Sequence, residues 1–293
     1  MSTPTSLHFD ALGTHCEVTI WDPLPTATLE ALEQEIVAST RAYEARYSRF
    51  QRDSLVWQLV ERRGIVRVPA ELIHLLRLYE TFYERTHGAL NPVVGQTLAD
   101  LGYDDVYSLR ARSHITRTAG LHEALSIVDD EHLAIHQAVL LDLGAIGKGY
   151  WIDQLHDLLQ RAGLRRTLVN AGGDIRYEGD GTPLRAGLED PTDSTRAIGV
   201  LEITSGSLCA SSGNRRRWHP DTHHILDART GRSPHAHLAS WVQTEQCALA
   251  DGLATSLLLV PPQRLQDQWT FAYAVLDDQR RVTHSADFRA EWL

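Results

Sequence analysis

One lysine stands in the whole chain. It is Lys148, within Gly144-Ala-Ile-Gly-Lys-Gly149, and every other one of the 28 Lys and Arg residues is Arg. In a chain that avoids lysine so fully, the survivor marks a place that needs a compact, mobile ammonium and not a rigid guanidinium fork. The surrounding segment, Leu141 to Asp153, sets glycines at 144, 147 and 149 between an apolar run and a helical pattern. Glycines so placed let backbone N–H groups approach an anion at a helix N-terminus, where the dipole also favours negative charge. A phosphate site has this form, and so does an ordinary glycine turn. It is not a Walker loop, because Gly149 stands where Ser or Thr is required, and the glycine spacing does not fit a dinucleotide fingerprint. Asp142 is either a helix-terminal charge or a carboxylate that orients a ligand.

Three further segments could do chemistry. In Val169-Asn-Ala-Gly-Gly-Asp-Ile175, the adjacent Gly172 and Gly173 permit close backbone approach to a flat or phosphorylated ligand, with Asn170 and Asp174 on either side. A bulge or hairpin turn would look the same. The stretch from Ala210 to Gly231 holds His219, His223 and His224. Imidazoles invite zinc, yet these follow no helical pattern in a chain with 15 His. In Ala250-Asp-Gly-Leu-Ala-Thr255, Asp251 and Thr255 are four apart and share a helix face. Carboxylate and hydroxyl together make a partial site for a hard cation such as Mg2+. An N-terminal cap followed by a buried Thr is the alternative.

The elements that must position these residues are partly readable. Helical periodicity covers 27–47, through Leu29, Leu32, Ile36, Val37, Tyr43 and Tyr47, and 70–86, with Gly88 as a stop. Their aromatic residues are expected to be packing. The middle reads as an extended run over 133–143, the glycine turn, a helix from Tyr150 to Gly163 and a strand at 167–169. Short strands are expected at 16–21, 198–203, 240–244, 270–276 and 281–283, with a helix over 249–260 and a turn-rich stretch at 180–191. Helices among strands without strict alternation predict an α+β fold, read as one domain over 1–293.

Composition narrows the class. Hydrophobic residues make up 43% and charged residues 23%, and no apolar run approaches a membrane span. A net charge of -10 and no basic stripe with interleaved aromatics argue against nucleic acid. Cys16, Cys209 and Cys247 are odd in number and form no Cys-x-x-Cys pair, so they are expected to pack, not to cross-link. Met1 to Asp10 shows no basic region followed by an apolar stretch, which predicts a cytoplasmic chain, or a periplasmic one if a leader was removed.

Taken together, the four segments, with Ala11-Leu-Gly-Thr14, Tyr47-Ser-Arg-Phe50 and His87-Gly-Ala-Leu-Asn-Pro92, resemble the ApbE-type FAD:protein FMN transferases. The resemblance covers almost the whole chain. It implies a single α+β domain of T-fold-related type, with mixed sheets and packed helices, that binds FAD and Mg2+. It also implies transfer of FMN to a Thr or Ser hydroxyl of an acceptor flavoprotein, with release of AMP. Matched by position, Leu12, Phe50, Ala89, Leu90, Asn91, Asp142, Lys148 and His224 would contact FAD. The Ala145 backbone oxygen, Asp251 and Thr255 would hold the metal. Leu12 replaces the usual Met, Leu90 the usual Phe and Asn91 the usual Asp. Asp174 and His224 are both candidates for the base that the acceptor hydroxyl needs. Two other outcomes fit the same residues: an FAD pyrophosphatase with water as acceptor, and a non-catalytic flavin carrier.

Overall fold

The computed structural model describes residues 4–293, so the reading of Met1 to Asp10 falls partly outside the described residues. Eight strands form the central sheet: β1 (Thr5–Ala11), β2 (Thr14–Ile20), β3 (Thr167–Ala171), β4 (Asp174–Glu178), β5 (Ser205–Ser212), β6 (His237–Thr244), β7 (Ala272–Asp277) and β8 (Val282–His284). Their order in the sheet is their order in the chain, and every neighbouring pair is antiparallel. Four longer helices are α1 (Thr26–Tyr47), α2 (Ala70–Arg85), α3 (Gly147–Arg161) and α4 (Cys247–Leu257).

The sheet is buried on both faces. Alternation in its strands sends Val169, Ala171, Cys209, Val242 and Tyr273 into one core with the four helices. Ile175, Tyr177, Leu208, Trp241, Ala274 and Leu276 enter a second core, capped by Leu188, Leu201 and Ile203 of a small sheet built on Leu184–Asp190 and Asp193–Ile203. α1, α2 and α3 bury one stripe each, whereas nearly every residue of α4 is buried, as befits a helix lodged between the sheet and α3. The aromatic residues on the first two helices do pack: Tyr43, Tyr47, Tyr79 and Phe82 are in the helix-side core.

Two expected elements differ. The run over 133–143 is a strand only at His132–Ile135. Beyond it Asp142 N–H donates to Pro92 O, not to a sheet neighbour, although Leu140 and Leu141 are buried. The turn-rich stretch at 180–191 contains the strand Leu184–Asp190, whose charged residues reflect its partial exposure. All three cysteines are free and buried, and Cys209 and Cys247 lie with their sulfurs 3.3 Å apart. Among the described residues no helix is long and apolar enough to cross a membrane.

Candidate active site

α3 and α4 meet at their N-terminal turns, and the contact depends on one glycine. A Cβ on Gly149 would lie 2.3 Å from the carbonyl oxygen of Cys247, so only glycine lets the two backbones come this close. Asp153, one turn further along α3, accepts from the Cys247 and Ala248 N–H groups at 2.9 Å each and is paired with Arg176. A carboxylate there satisfies the orphan donors of α4 and complements its dipole. This junction brings Lys148, Asp251 and Thr255 to one cleft of about 670 Å³, although the last two lie about a hundred positions beyond the first.

The glycines of the turn make hydrogen bonds of their own within the protein. Gly144 N–H donates to Asp142 at 2.8 Å, Gly147 N–H to Leu143 O at 2.7 Å and Gly149 N–H to Asp251 at 3.0 Å. These three glycine N–H groups are spent within the protein. Positive charge in the cleft comes from the side chains of Lys148, Arg49, Arg215 and Arg216. Lys148 is in contact with Asp174, whose other oxygen accepts from Ala210 N–H at 2.9 Å. Arg49 is buried beside Asp142, donates to Tyr103 O at 2.6 Å and lies over the rings of Phe50 and Tyr103. Arg216 donates to the Tyr103 hydroxyl and to Gly13 O across the mouth of the cleft.

Asp251 is the residue best suited to a cation. Burial raises its pKa above the ordinary carboxylate value, against the opposing pull of Lys148 and the Gly149 N–H. The Gly149 N–H that regular helix geometry would aim at the Ala145 carbonyl is turned to this carboxylate. Thr255, one turn on, has its hydroxyl 3.1 Å from that of Ser211. Among the described residues no group of three or more His, Cys, Asp or Glu gathers as a metal cage. Asp251, Thr255 and the half-buried Ala145 all line the cleft, and their carboxylate, hydroxyl and carbonyl oxygens are a set of hard donors that fits Mg2+ completing its shell with water and phosphate.

Other expected contacts divide. Leu12, Phe50, Leu90, Asn91, Asp142, Gly172, Gly173 and His224 line the cleft, while Ala89 is fully buried behind it and Asn170, outside the lining, accepts from Gly173 N–H at 3.1 Å. Leu12 sits in the two-residue hairpin turn between β1 and β2 with φ of 50°, its N–H held by Glu44 at 2.9 Å. Gly172 is at φ +62°, and a Cβ there would meet the Thr14 hydroxyl at 2.4 Å. Asn91 spends its amide on Val93 N–H and Ala119 O, a pairing that an Asp could only half reproduce. The His224 ring is held neutral, its pKa pushed down to about 3 by burial and the neighbouring Arg216. His223 is tied to Pro234 O at 2.9 Å.

Sequence reasoning missed Arg49, Tyr79, Tyr103, Tyr107 and Arg216. Arg49 lay within Tyr47-Ser-Arg-Phe50 and could have been singled out there. Tyr103 and Tyr107 come from an irregular loop whose composition carries no signal, yet Tyr107 stacks on Phe50 at 4.9 Å.

A model of the ApbE family matches residues 12–273. A Vibrio cholerae protein named FAD:protein FMN transferase is 31% identical over 61% of this chain, and the match spans 58% of that protein's length. A Klebsiella pneumoniae protein of the same name is 25% identical over 90% of this chain and 81% of its own. Among solved structures, the ApbE protein of Thermotoga maritima superposes with a TM-score of 0.85 at 22% identity, covering 98% of both chains. The flavin transferase ApbE from Vibrio cholerae gives 0.79 at 23% identity, over 98% of this chain and 99% of that one. These likenesses accord with the α+β fold and with the expectation of a transferase, and with the family match they lead to one statement: the chain belongs to the ApbE family.

Proposed function

We propose that this chain is a Mg2+-dependent FAD:protein FMN transferase, which moves FMN from FAD to a Thr or Ser hydroxyl of an acceptor flavoprotein and releases AMP. The observation that carries the reading is the junction of α3 and α4, where the only lysine, the buried Asp251 and Thr255 share a cleft with His224. The names of the relatives give the reaction class.

Attack on the FMN phosphorus of FAD breaks the diphosphate and leaves AMP, so charge on the non-bridging and leaving oxygens must be balanced. When bound by Asp251, Thr255 and the Ala145 carbonyl, Mg2+ would supply divalent charge at those oxygens. Lys148 adds a mobile ammonium, and Asp174 holds it in the cleft. Between the two candidate bases, His224 is the better suited. Asp174 is committed to Lys148 and Ala210 N–H, whereas the neutral His224 ring has a buried, unpartnered Nδ1. A ring so weakly basic takes the acceptor's proton only as the new phosphorus–oxygen bond forms. Tyr107, stacked on Phe50 and exposed at the cleft, offers a flat face of the kind on which aromatic ring systems pack.

The test is incubation with FAD, Mg2+ and candidate flavoproteins, read by intact mass and AMP release. AMP in step with a covalent FMN adduct supports the transferase. AMP at the same rate with free FMN and no adduct replaces it with a pyrophosphatase. Flavin binding that survives metal removal, without AMP, makes the chain a carrier.

A further inference from the structure

Three polar groups of residues lining the cleft are buried without a protein partner: Arg49 Nη2, the Tyr79 hydroxyl and His224 Nδ1. Buried polar groups are paired almost everywhere in folded proteins, so an orphan in a cleft wall marks where a ligand atom belongs. His224 already has a role in the proposed chemistry and Arg49 is held through its other nitrogens by Asp142 and Tyr103 O, whereas the Tyr79 hydroxyl has no partner at all.

Tyr79 lies on the inner face of α2 and is 1% exposed. Its hydroxyl sits beside the backbone N–H groups of Ala145 and Ile146, in the field of both Asp142 and Asp251. Tyr43 shows what a structural tyrosine does at the same turn, since its hydroxyl donates to Gly147 O at 2.7 Å. The Tyr79 hydroxyl has no such acceptor. Asp142 is already occupied by Arg49 and Gly144 N–H, one oxygen of Asp251 accepts from Gly149 N–H, and neither carboxylate is hydrogen-bonded to Tyr79. The Ile146 N–H donates instead to Leu143 O at 3.3 Å, and the hydroxyl makes no hydrogen bond within the protein, so its proton is free. A phenol hydroxyl carries a proton that it can donate.

We propose that the Tyr79 hydroxyl is a binding group for the diphosphate of FAD, donating to a phosphate oxygen and holding it against the Ala145–Gly147 turn. The proposal rests on the transferase reading for the identity of the ligand. It assigns to a side chain part of the anion recognition that the committed glycine N–H groups cannot provide.

Tyr79→Phe deletes one oxygen and tests this directly. A hydroxyl that held the fold together would lower the melting temperature on removal, whereas removal of an orphan leaves the ligand-free protein as stable as the parent or more so. Titration calorimetry of FAD in Mg2+ should then show affinity weakened about tenfold, with the affinity for Mn2+ alone unchanged. An FAD affinity equal to the parent's overturns the contact, and so does a lowered melting temperature in the absence of ligand. Loss of Mn2+ affinity would assign the hydroxyl to the cation's shell and overturn it too. A parent that fails to bind FAD takes down the transferase reading, and this contact with it, whereas a parent that binds while Tyr79→Phe binds equally well sinks only the contact.

Discussion

Lys148 and Asp174 form a pair whose two members do different things. In the proposed reaction the ammonium would serve the ligand, and the nearly inaccessible carboxylate holds the ammonium. Lys148→Arg keeps the charge but presents a planar fork to a carboxylate that also accepts from Ala210 N–H. AMP release should fall at least about tenfold while the melting temperature stays near the parent's. Parental turnover in Lys148→Met would remove the residue from phosphate contact. The histidines give a second prediction at this scale. Burial holds His224 down to about 3 and His156 to about 4, against an ordinary value of 6.5. Between those values the unfolded chain binds protons that the folded chain refuses, so stability rises with pH through this window and levels off above about 6.5. Urea midpoints at pH 5 and pH 7 should differ in that sense, and His156→Gln should flatten the slope. The raised Asp251 pKa opposes this trend in the lower part of the window.

The element that matters most is α4, because its position sets where Asp251 and Thr255 stand. Its first turn is held by Asp153 from α3, and its flank by the close approach at Gly149. Asp153→Ala leaves two helix N–H groups and Arg176 without their acceptor. The loss should cost about 2 kcal/mol of stability by urea titration and raise the half-saturating Mg2+ for AMP release. Asp251→Asn, by contrast, should raise the Mg2+ requirement with little loss of stability. Equal Mg2+ curves for Asp153→Ala and the parent would mean that the junction does not govern the cation site. Much of this was legible in the sequence. α1, α2 and α4 appear as periodic apolar runs, and Lys148, Asp251 and Thr255 stand out by scarcity or spacing. β5 was not legible, because Ser205–Ser212 is built largely of small polar residues and reads as loop; only its place between β4 and β6 makes it a strand. Tyr79 falls on the apolar face of a helical pattern and so reads as core, which its ring is, and nothing in a sequence tells where the oxygen at the far end of a buried ring will lie.

At the scale of the whole molecule, the central sheet is the shared wall of both cores. Helices cover one face and the small sheet covers the other, so neither core can dissolve without exposing the same eight strands. We therefore propose that 1–293 behaves as a single cooperative domain. Trp151 reports on the helix-side core and Trp241 on the opposite one. Unfolding curves of Trp151→Phe and Trp241→Phe, each followed by fluorescence and by far-ultraviolet circular dichroism, should show one transition with coincident midpoints for the two probes. Separated midpoints would divide the chain along the sheet.

The scarcity of lysine also decides how the protein behaves in the hands of a chemist. Apart from the α-amino group, a reagent that acylates amines finds one target, Lys148, whose side chain is 23% accessible within the cleft. Acylation at that position therefore reports whether the cleft is filled: a bound ligand shields it, and intact mass counts the fraction left unprotected without any label on the ligand. The same property makes amine coupling to a sensor surface a poor choice. It would tether a fraction of the molecules through the site under study and silence them, and the apparent binding capacity would fall for a reason unrelated to affinity.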